Sequence, residues 1–263
     1  MKAYRDEDFL TSRSARPVRI LAEYLEPEQR FEDARVRDTI VFLGSSRLVS
    51  PAAAEQALGS AEPGDGDPAA ARRQLEMARY WEDARELARR LTAWSKGLAG
   101  TDRRFVVCTG GGPGIMAAAN QGASEAKGLN IGLNISLPAE QFTNRHVTRQ
   151  LDLEFHYFFM RKFWFVYLAK AIVVFPGGFG TLDELFEVLT LIQTRKTKRR
   201  LPVVLFGQEF WNEVVNFDAL VRHGTIDAAD LELIFRADTV DETYDHIVAQ
   251  LGAHFLGHPE PSL

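Results

Sequence analysis

The chain has 263 residues, 46% of them hydrophobic and 25% charged, with a net charge of −5. This is the balance of an ordinary globular protein and excludes a wholly disordered or fibrous one. Lys and Arg are interspersed with Asp and Glu instead of gathered into a basic stripe, which argues against nucleic acid as a partner.

From the start, Met1 to Ile20 is studded with Arg, Asp and Glu and lacks the apolar core of a signal peptide. Val18, Leu21, Ala22 and Leu25 then follow a helical spacing. Thr39 to Leu43 is a short apolar run that ends at Gly44-Ser45-Ser46, the pattern of a buried strand entering a loop. Leu58 to Pro68 reads as a flexible loop and Ala69 to Ser95 as a long helix with an Arg/Glu outer face. A strand from Arg104 to Cys108, the turn Gly110-Gly111-Gly112-Pro113-Gly114, a helix to about Ala126 and a strand from Asn130 to Leu137 come next. A polar loop, Pro138 to Gln150, leads into the second half.

There the expected order is a strand at Leu151 to Phe155, a helix from Tyr157 to Lys170 and a strand at Ala171 to Phe175. A helix from Leu182 to Thr194, the basic connection Arg195 to Arg200, a strand at Pro202 to Phe206, a helix from Gln208 to Arg222 and a last helix from Asp241 to Leu251 complete it. Strands that alternate with helices and read as continuous apolar runs imply an α/β fold, a Rossmann-like doubly wound parallel sheet with helices on both faces. The expected organisation is an N-terminal helical extension over 1–38, one nucleotide-binding domain over 39–255 and a flexible tail over 256–263.

Phe155 to Phe175 is long and aromatic, but it carries Arg161, Lys162 and Lys170. Each would cost about 2.5 to 3.5 kcal/mol in mid-membrane, so a membrane span is rejected. The single cysteine, Cys108, sits in an apolar run; one cysteine supplies neither an internal disulfide nor a metal cluster, and a reducing, cytoplasmic setting fits best. No metal or cofactor is expected.

In doubly wound folds ligands bind beyond the carboxyl ends of the strands. Three strand-following loops therefore matter: Gly44-Ser45-Ser46, Gly110 to Gly114, and Pro176-Gly177-Gly178-Phe179-Gly180-Thr181. Glycines let backbone N–H groups approach an anion, and a helix that starts at once adds its positive dipole end. The last loop has both features. For Gly110 to Gly114, phosphate binding and tight-turn packing both remain open. Neither loop carries the Gly-Lys-Ser/Thr of a Walker loop or the spacing of a dinucleotide fingerprint.

Arg161 lies one turn into a helix antiparallel to the strand that follows, which should carry it toward the edge where Gly177 and Gly178 emerge. Thr181 to Glu184 has the pattern of a capping box, so Glu184 reads equally as a cap and as a catalytic carboxylate. On the first turn of a helix, the dipole should lower its pKa and keep it ionised.

These residues carry a resemblance. Pro176 to Glu184 matches the PGGxGTxxE signature of the LOG family, the cytokinin riboside 5′-monophosphate phosphoribohydrolases, many once labelled possible lysine decarboxylases. Met160-Arg161-Lys162 resembles the family's upstream Arg-Lys element, and Gly110 to Met116 its glycine-rich turn ending in Met. The segments Leu137 to Gln141 and His156 to Phe159 look more like the longer, AMP-nucleosidase-like bacterial branch, from which Ala117 departs where Glu is frequent.

The resemblance implies hydrolysis of the N-glycosidic bond of nucleoside 5′-monophosphates, AMP or cytokinin ribosides, to free base and ribose 5-phosphate, by a homodimer or higher oligomer. It makes Arg161 and Glu184 the catalytic pair. Ser45, Gly111, Gly112, Met116, Lys162, Gly177, Gly178, Gly180 and Thr181 are expected around the nucleotide, with Asp183 or His146 as candidate proton donors. A non-catalytic nucleotide or phosphorylated-cofactor carrier is the alternative. Lysine decarboxylation would need pyridoxal phosphate on a Schiff-base lysine, and Lys162 and Lys170 read instead as helix residues.

Overall fold

The computed structural model describes residues 1–60, 68–100, 102–137, 143–197 and 201–256. Residues 61–67 of the expected loop from Leu58 to Pro68, residue 101, residues 138–142, residues 198–200 of the basic run and the residues from 257 onward lie outside the described residues, and Leu58 to Ser60 end a helix.

Two N-terminal helices, α1 (Glu7–Thr11) and α2 (Arg16–Asp33), precede β1 (Thr39–Leu43). Then follow α3 (Pro51–Ser60), α4 (Pro68–Lys96), β2 (Val106–Thr109), α5 (Ile115–Glu125), β3 (Asn130–Ile135) and β4 (Asp152–Phe155). The second half runs α6 (Phe158–Tyr167), β5 (Ala169–Val174), α7 (Phe179–Gln193), β6 (Val203–Phe206), α8 (Gln208–Val214), α9 (Phe217–Arg222), β7 (Ile234–Ala237) and α10 (Val240–Phe255).

The strands form one seven-stranded parallel sheet in the order β4-β3-β2-β1-β5-β6-β7. Right-handed crossovers place helices on one face as the chain winds outward from β1 through β2 and β3, and on the other as it winds outward from β5. Tyr80, Leu87 and Leu91 of α4, Ala118 and Ala119 of α5 and Ile247 and Leu251 of α10 cover the first face. Phe31 of α2, Trp164 and Phe165 of α6, Leu185 and Val188 of α7 and Trp211 of α8 cover the second. Covered on both sides, β1 and β5 are buried along their whole length, which is why their sequences are unbroken apolar runs. The fold is the doubly wound α/β sheet expected from the sequence.

Winding reverses between β1 and β5, which pair from Thr39 with Ala169 to Leu43 with Val174. The loops after these two strands part to opposite faces and leave a crevice at the carboxyl edge.

Several element boundaries differ from expectation. The helix carrying Arg161 stops at Tyr167, and Lys170 is a buried strand residue, not a helical one. Pairing with β1 recruits it into β5, and its ammonium lies 5.4 Å from the centre of the Phe255 ring. The expected helix from Gln208 to Arg222 is two helices, because Val215 is extended and the Asn216 side chain caps α9 by accepting from Ala219 N–H at 2.8 Å. Strand β7 was not read from the sequence. It is a short edge strand whose Ile-Phe-Arg-Ala run alternates too little to be recognised.

Candidate active site

At the crevice lies a cavity of about 680 Å³, walled by the loop after β1, the start of α5, α6, the loop after β5 and the first turns of α7, with Phe210 and Val214 of α8 at its rim. A volume of this order suits a nucleotide-sized ligand.

The three strand-following loops are laced together by their backbones. Ser45 N–H donates to the Pro176 carbonyl at 3.0 Å, and Ile115 N–H donates to the Ser45 carbonyl at 3.0 Å. Gly114 has φ +70°, and a Cβ there would drive into the Ser45 carbonyl, so only glycine lets α5 start against this loop. Ser45 also turns its own loop, its hydroxyl accepting from Arg47 N–H at 3.1 Å.

Helix α7 begins at Phe179, three residues earlier than the sequence suggested, with Gly178 as its N-cap residue. Thr181 is therefore not the cap and no capping box forms with Glu184. Its side chain is buried and folds back against Gly177, at which a Cβ would collide with it. No side chain caps α7, and the helical ladder starts with Leu182 N–H donating to the Gly178 carbonyl at 3.0 Å. The N–H groups of the first turn are thus free to serve an anion at the positive end of the helix dipole. Gly178 and Gly180 both line the cavity, neither has positive φ, and a Cβ at either would meet nothing within 4 Å.

Arg161 on α6 and Glu184 on α7 meet across the cavity wall, Arg161 Nη2 donating to Glu184 Oε1 at 3.3 Å. Both side chains are largely buried, at 13% and 16% exposure. The guanidinium lies between the rings of Phe158, 5.2 Å away, and Phe165, 5.6 Å away, and its buried Nε–H has no protein partner. Burial pulls the Arg161 pKa down while Glu184 opposes the shift. Burial also pushes the Glu184 carboxyl up to about 7, against the pull of Arg161. This corrects the expectation that the helix dipole keeps Glu184 fully ionised: losing water outweighs a dipole whose charge is only partial.

Other expected residues divide sharply. Ser45, Met116, Gly177, Gly178, Gly180 and Thr181 line the cavity; Gly111, Gly112 and Lys162 do not. Lys162 points away and pairs with Asp183 at 2.7 Å and Glu187 at 3.0 Å on the next helix. Gly111 and Gly112 turn into the protein, where Asn144 Nδ2 donates to both of their carbonyls at 3.0 Å. Asp183, held by Lys162, and His146, in the turn after Asn144, are likewise off the wall. Among the described residues Glu184 is the one carboxyl on the wall, and no histidine lies there. Gly110 and Arg47 line the cavity without having been singled out. Both could have been found as neighbours of residues already chosen, Arg47 as the base following Gly44-Ser45-Ser46.

A family model described as possible lysine decarboxylase matches residues 116–247, half of the chain. The chain belongs to this family. It is the LOG family that the glycine and Arg-Lys motifs resemble. A pyrimidine/purine nucleotide 5′-monophosphate nucleosidase of Escherichia coli K12 is 32% identical over 117 residues, covering 40% of this chain and 25% of that protein. A cytokinin riboside 5′-monophosphate phosphoribohydrolase of Arabidopsis thaliana is 36% identical over 76 residues, covering 28% of this chain and 34% of that protein. The chain thus spans between a quarter and about a third of these two relatives.

Among solved structures, a molybdenum cofactor binding protein from Rippkaea orientalis aligns over 81% of this chain and 97% of its own, at 18% identity and a TM-score of 0.47. The family's decarboxylase description would require a lysine placed for a pyridoxal phosphate Schiff base. The described cavity wall holds no lysine, Lys162 is engaged with two carboxylates, and Lys170 is buried in β5, so these residues do not fit that cofactor.

Proposed function

We propose that the chain hydrolyses the N-glycosidic bond of nucleoside 5′-monophosphates, releasing the base and ribose 5-phosphate. The observation that carries this reading is Gly178 and Gly180, bare toward the cavity at an uncapped helix start, within the same cavity as a buried Arg-Glu pair. Nothing in the fold requires glycine at those two positions, whereas close approach of a phosphate to the backbone does. The nucleosidase and phosphoribohydrolase relatives support the same chemistry.

In this reading the 5′-phosphate sits on the first turn of α7 and the ribose lies across Glu184. The bond from the anomeric carbon to the base nitrogen breaks, and its electron pair leaves with the base. Ionised Glu184 faces the positive charge that develops at the anomeric carbon, as carboxylates do in glycoside cleavage. Water adds to that carbon and passes a proton to Glu184, the departing base takes up a proton from solvent, and Glu184 returns its proton to solvent afterwards. A carboxyl that titrates near 7 can both accept a proton and return it at neutral pH. Arg161 fixes the carboxylate and brings its positive charge to the same cavity wall.

Chromatography of AMP incubated with the protein tests this directly. Free adenine and ribose 5-phosphate are expected, with Glu184→Gln slower by a factor on the order of 10² to 10⁴. Binding of AMP without release of adenine would instead identify a carrier, and undiminished turnover by the Gln variant would remove Glu184 from the chemistry.

A further inference from the structure

Helix α2 lies outside the region matched by the family model, yet it reaches the helix that carries Arg161. Beside ring contacts of Tyr24 and Phe31 with Phe163 and Trp164, Glu23 hydrogen-bonds to this segment through both side chain and backbone. The two carboxylate oxygens of Glu23 accept from His156 N–H at 2.8 Å and Tyr157 N–H at 3.2 Å, at the entry to α6. Tyr157 is the N-cap residue of α6 and offers no side-chain cap of its own. Its carbonyl in turn accepts the backbone N–H of Arg161 at 3.2 Å. One residue, Tyr157, therefore links the Glu23 carboxylate to the backbone of Arg161.

The sequence of α2 explains the second contact. Pro27 stands four residues after Glu23 inside the helix and has no N–H to give the Glu23 carbonyl. That carbonyl is instead used by α6, accepting from Trp164 Nε1 at 3.0 Å. Phe31 packs on the same indole, with ring centres 5.3 Å apart, and buried Pro27 continues this contact face of the helix. Glu23 thus grips α6 at its first turn and, through Trp164, one turn beyond Arg161. A carboxylate at this end of α6 also faces the positive pole of its dipole.

We propose that Glu23 is a positioning residue: it sets the start and rotation of α6 so that the Arg161 guanidinium meets Glu184. The role in turnover rests on the nucleosidase reading, but the geometric claim does not. Glu23 does not line the cavity and touches no substrate in that reading.

The test compares Glu23→Ala, Glu23→Gln and Arg30→Ala in the full chain. Arg30 also ties α2 down, its guanidinium donating to the Asp152 carbonyl at 3.0 Å, but it does not touch α6 through that bond. Two quantities are read: kcat and KM for AMP, and the Arg161 Nε–H resonance by NMR. Glu23→Ala is expected to lower kcat about tenfold to a hundredfold with a much smaller change in KM, and to shift the Arg161 resonance. Glu23→Gln, which keeps one acceptor oxygen, recovers part of both; Arg30→Ala changes neither.

The proposal is overturned if Glu23→Ala leaves resonance and kcat at wild-type values, or if Arg30→Ala reproduces its effects. Should Glu23→Ala fail to fold, a folded Glu23→Gln with an unmoved Arg161 resonance overturns it equally. If the wild-type protein cleaves no nucleotide, the nucleosidase reading falls and the resonance alone decides the positioning claim.

Discussion

The two glycine loops at the carboxyl edge of the sheet look alike in sequence and differ in what their glycines face. In Gly110 to Gly114 the protein itself accounts for Gly110, Gly111 and Gly114. Gly111 and Gly114 have φ of +71° and +70°, a Cβ at Gly110 would lie 2.8 Å from Met116 Sδ, and the carbonyls of Gly111 and Gly112 are taken by Asn144. In the loop after β5, only Gly177 is explained this way, by Thr181. Gly178 and Gly180 face open cavity with ordinary φ. A glycine-rich turn thus says only that backbone is approached closely; whether a neighbouring strand or a ligand approaches it depends on what lies across from it.

That contrast can be broken at either loop. The largest effect is expected from Gly114→Ala, which combines a left-handed backbone with a clash against the Ser45 carbonyl. A loss of about 3 kcal/mol or more should appear as a lower urea midpoint. A wild-type midpoint would mean the loop relaxes freely, and the structural role assigned to it would go.

Next in size is the pH dependence contributed by Glu184 at the other loop. Its pKa is raised from 4.5 in the unfolded chain to about 7 in the fold, so the folded state favours the proton. Its contribution to stability is therefore full below 4.5 and lost as pH rises through about 7, by on the order of 3 kcal/mol. Wild type should lose more stability between about pH 5 and pH 8 than Glu184→Gln does. Asp83, raised by burial to about 6, titrates in both proteins and cancels in the comparison. Parallel pH profiles would show that Glu184 is not held in its neutral form by burial.

Asn144→Ala should cost about 1 to 3 kcal/mol, because it strips donors from the Gly111 and Gly112 carbonyls and from buried Asn120 Oδ1. AMP affinity should stay near wild type; a loss of affinity larger than the loss of stability would bring Gly111 and Gly112 into the binding site.

The smallest stability effect has the opposite sign. Gly180→Ala places a methyl in open space on the first turn of a helix and should raise stability by about 0.5 to 1 kcal/mol. The same methyl would stand where a phosphate is proposed to lie, so affinity for AMP should fall about tenfold, or 1.4 kcal/mol. A variant that is both more stable and equally tight would move the phosphate elsewhere.

Much of this site was legible in the sequence because its signals are local. The apolar runs at Thr39 to Leu43 and Ala171 to Phe175, each followed at once by glycine or serine, mark strands that end in loops at the same edge. A parallel doubly wound sheet then brings those loops together, so Ser45 and Gly177 share a cavity although their strands are far apart in the chain. Arg161 could be placed by counting turns back from β5.

Residues that needed the tertiary structure are those whose partners lie far along the chain. The Thr181 to Glu184 pattern satisfies the capping-box rule, yet Gly178 rather than Thr181 takes the cap, because Thr181 is needed under Gly177. Lys162 adjoins Arg161 in sequence but leaves on another side of the helix, toward Asp183 and Glu187. Glu23 carries no motif at all; its partners are 133, 134 and 141 residues away.

By itself, then, the order of apolar runs, glycines and charges determined the sheet, the edge at which its cavity opens and the family, since secondary-structure period and turn chemistry are written within a few neighbouring residues. Which glycines face the open cavity, how burial raises the Glu184 pKa and which distant residues bond to the helix of Arg161 were decided only by the folded chain. Burial and long-range hydrogen bonds are properties of what returns to pack against a residue, and no local pattern records them.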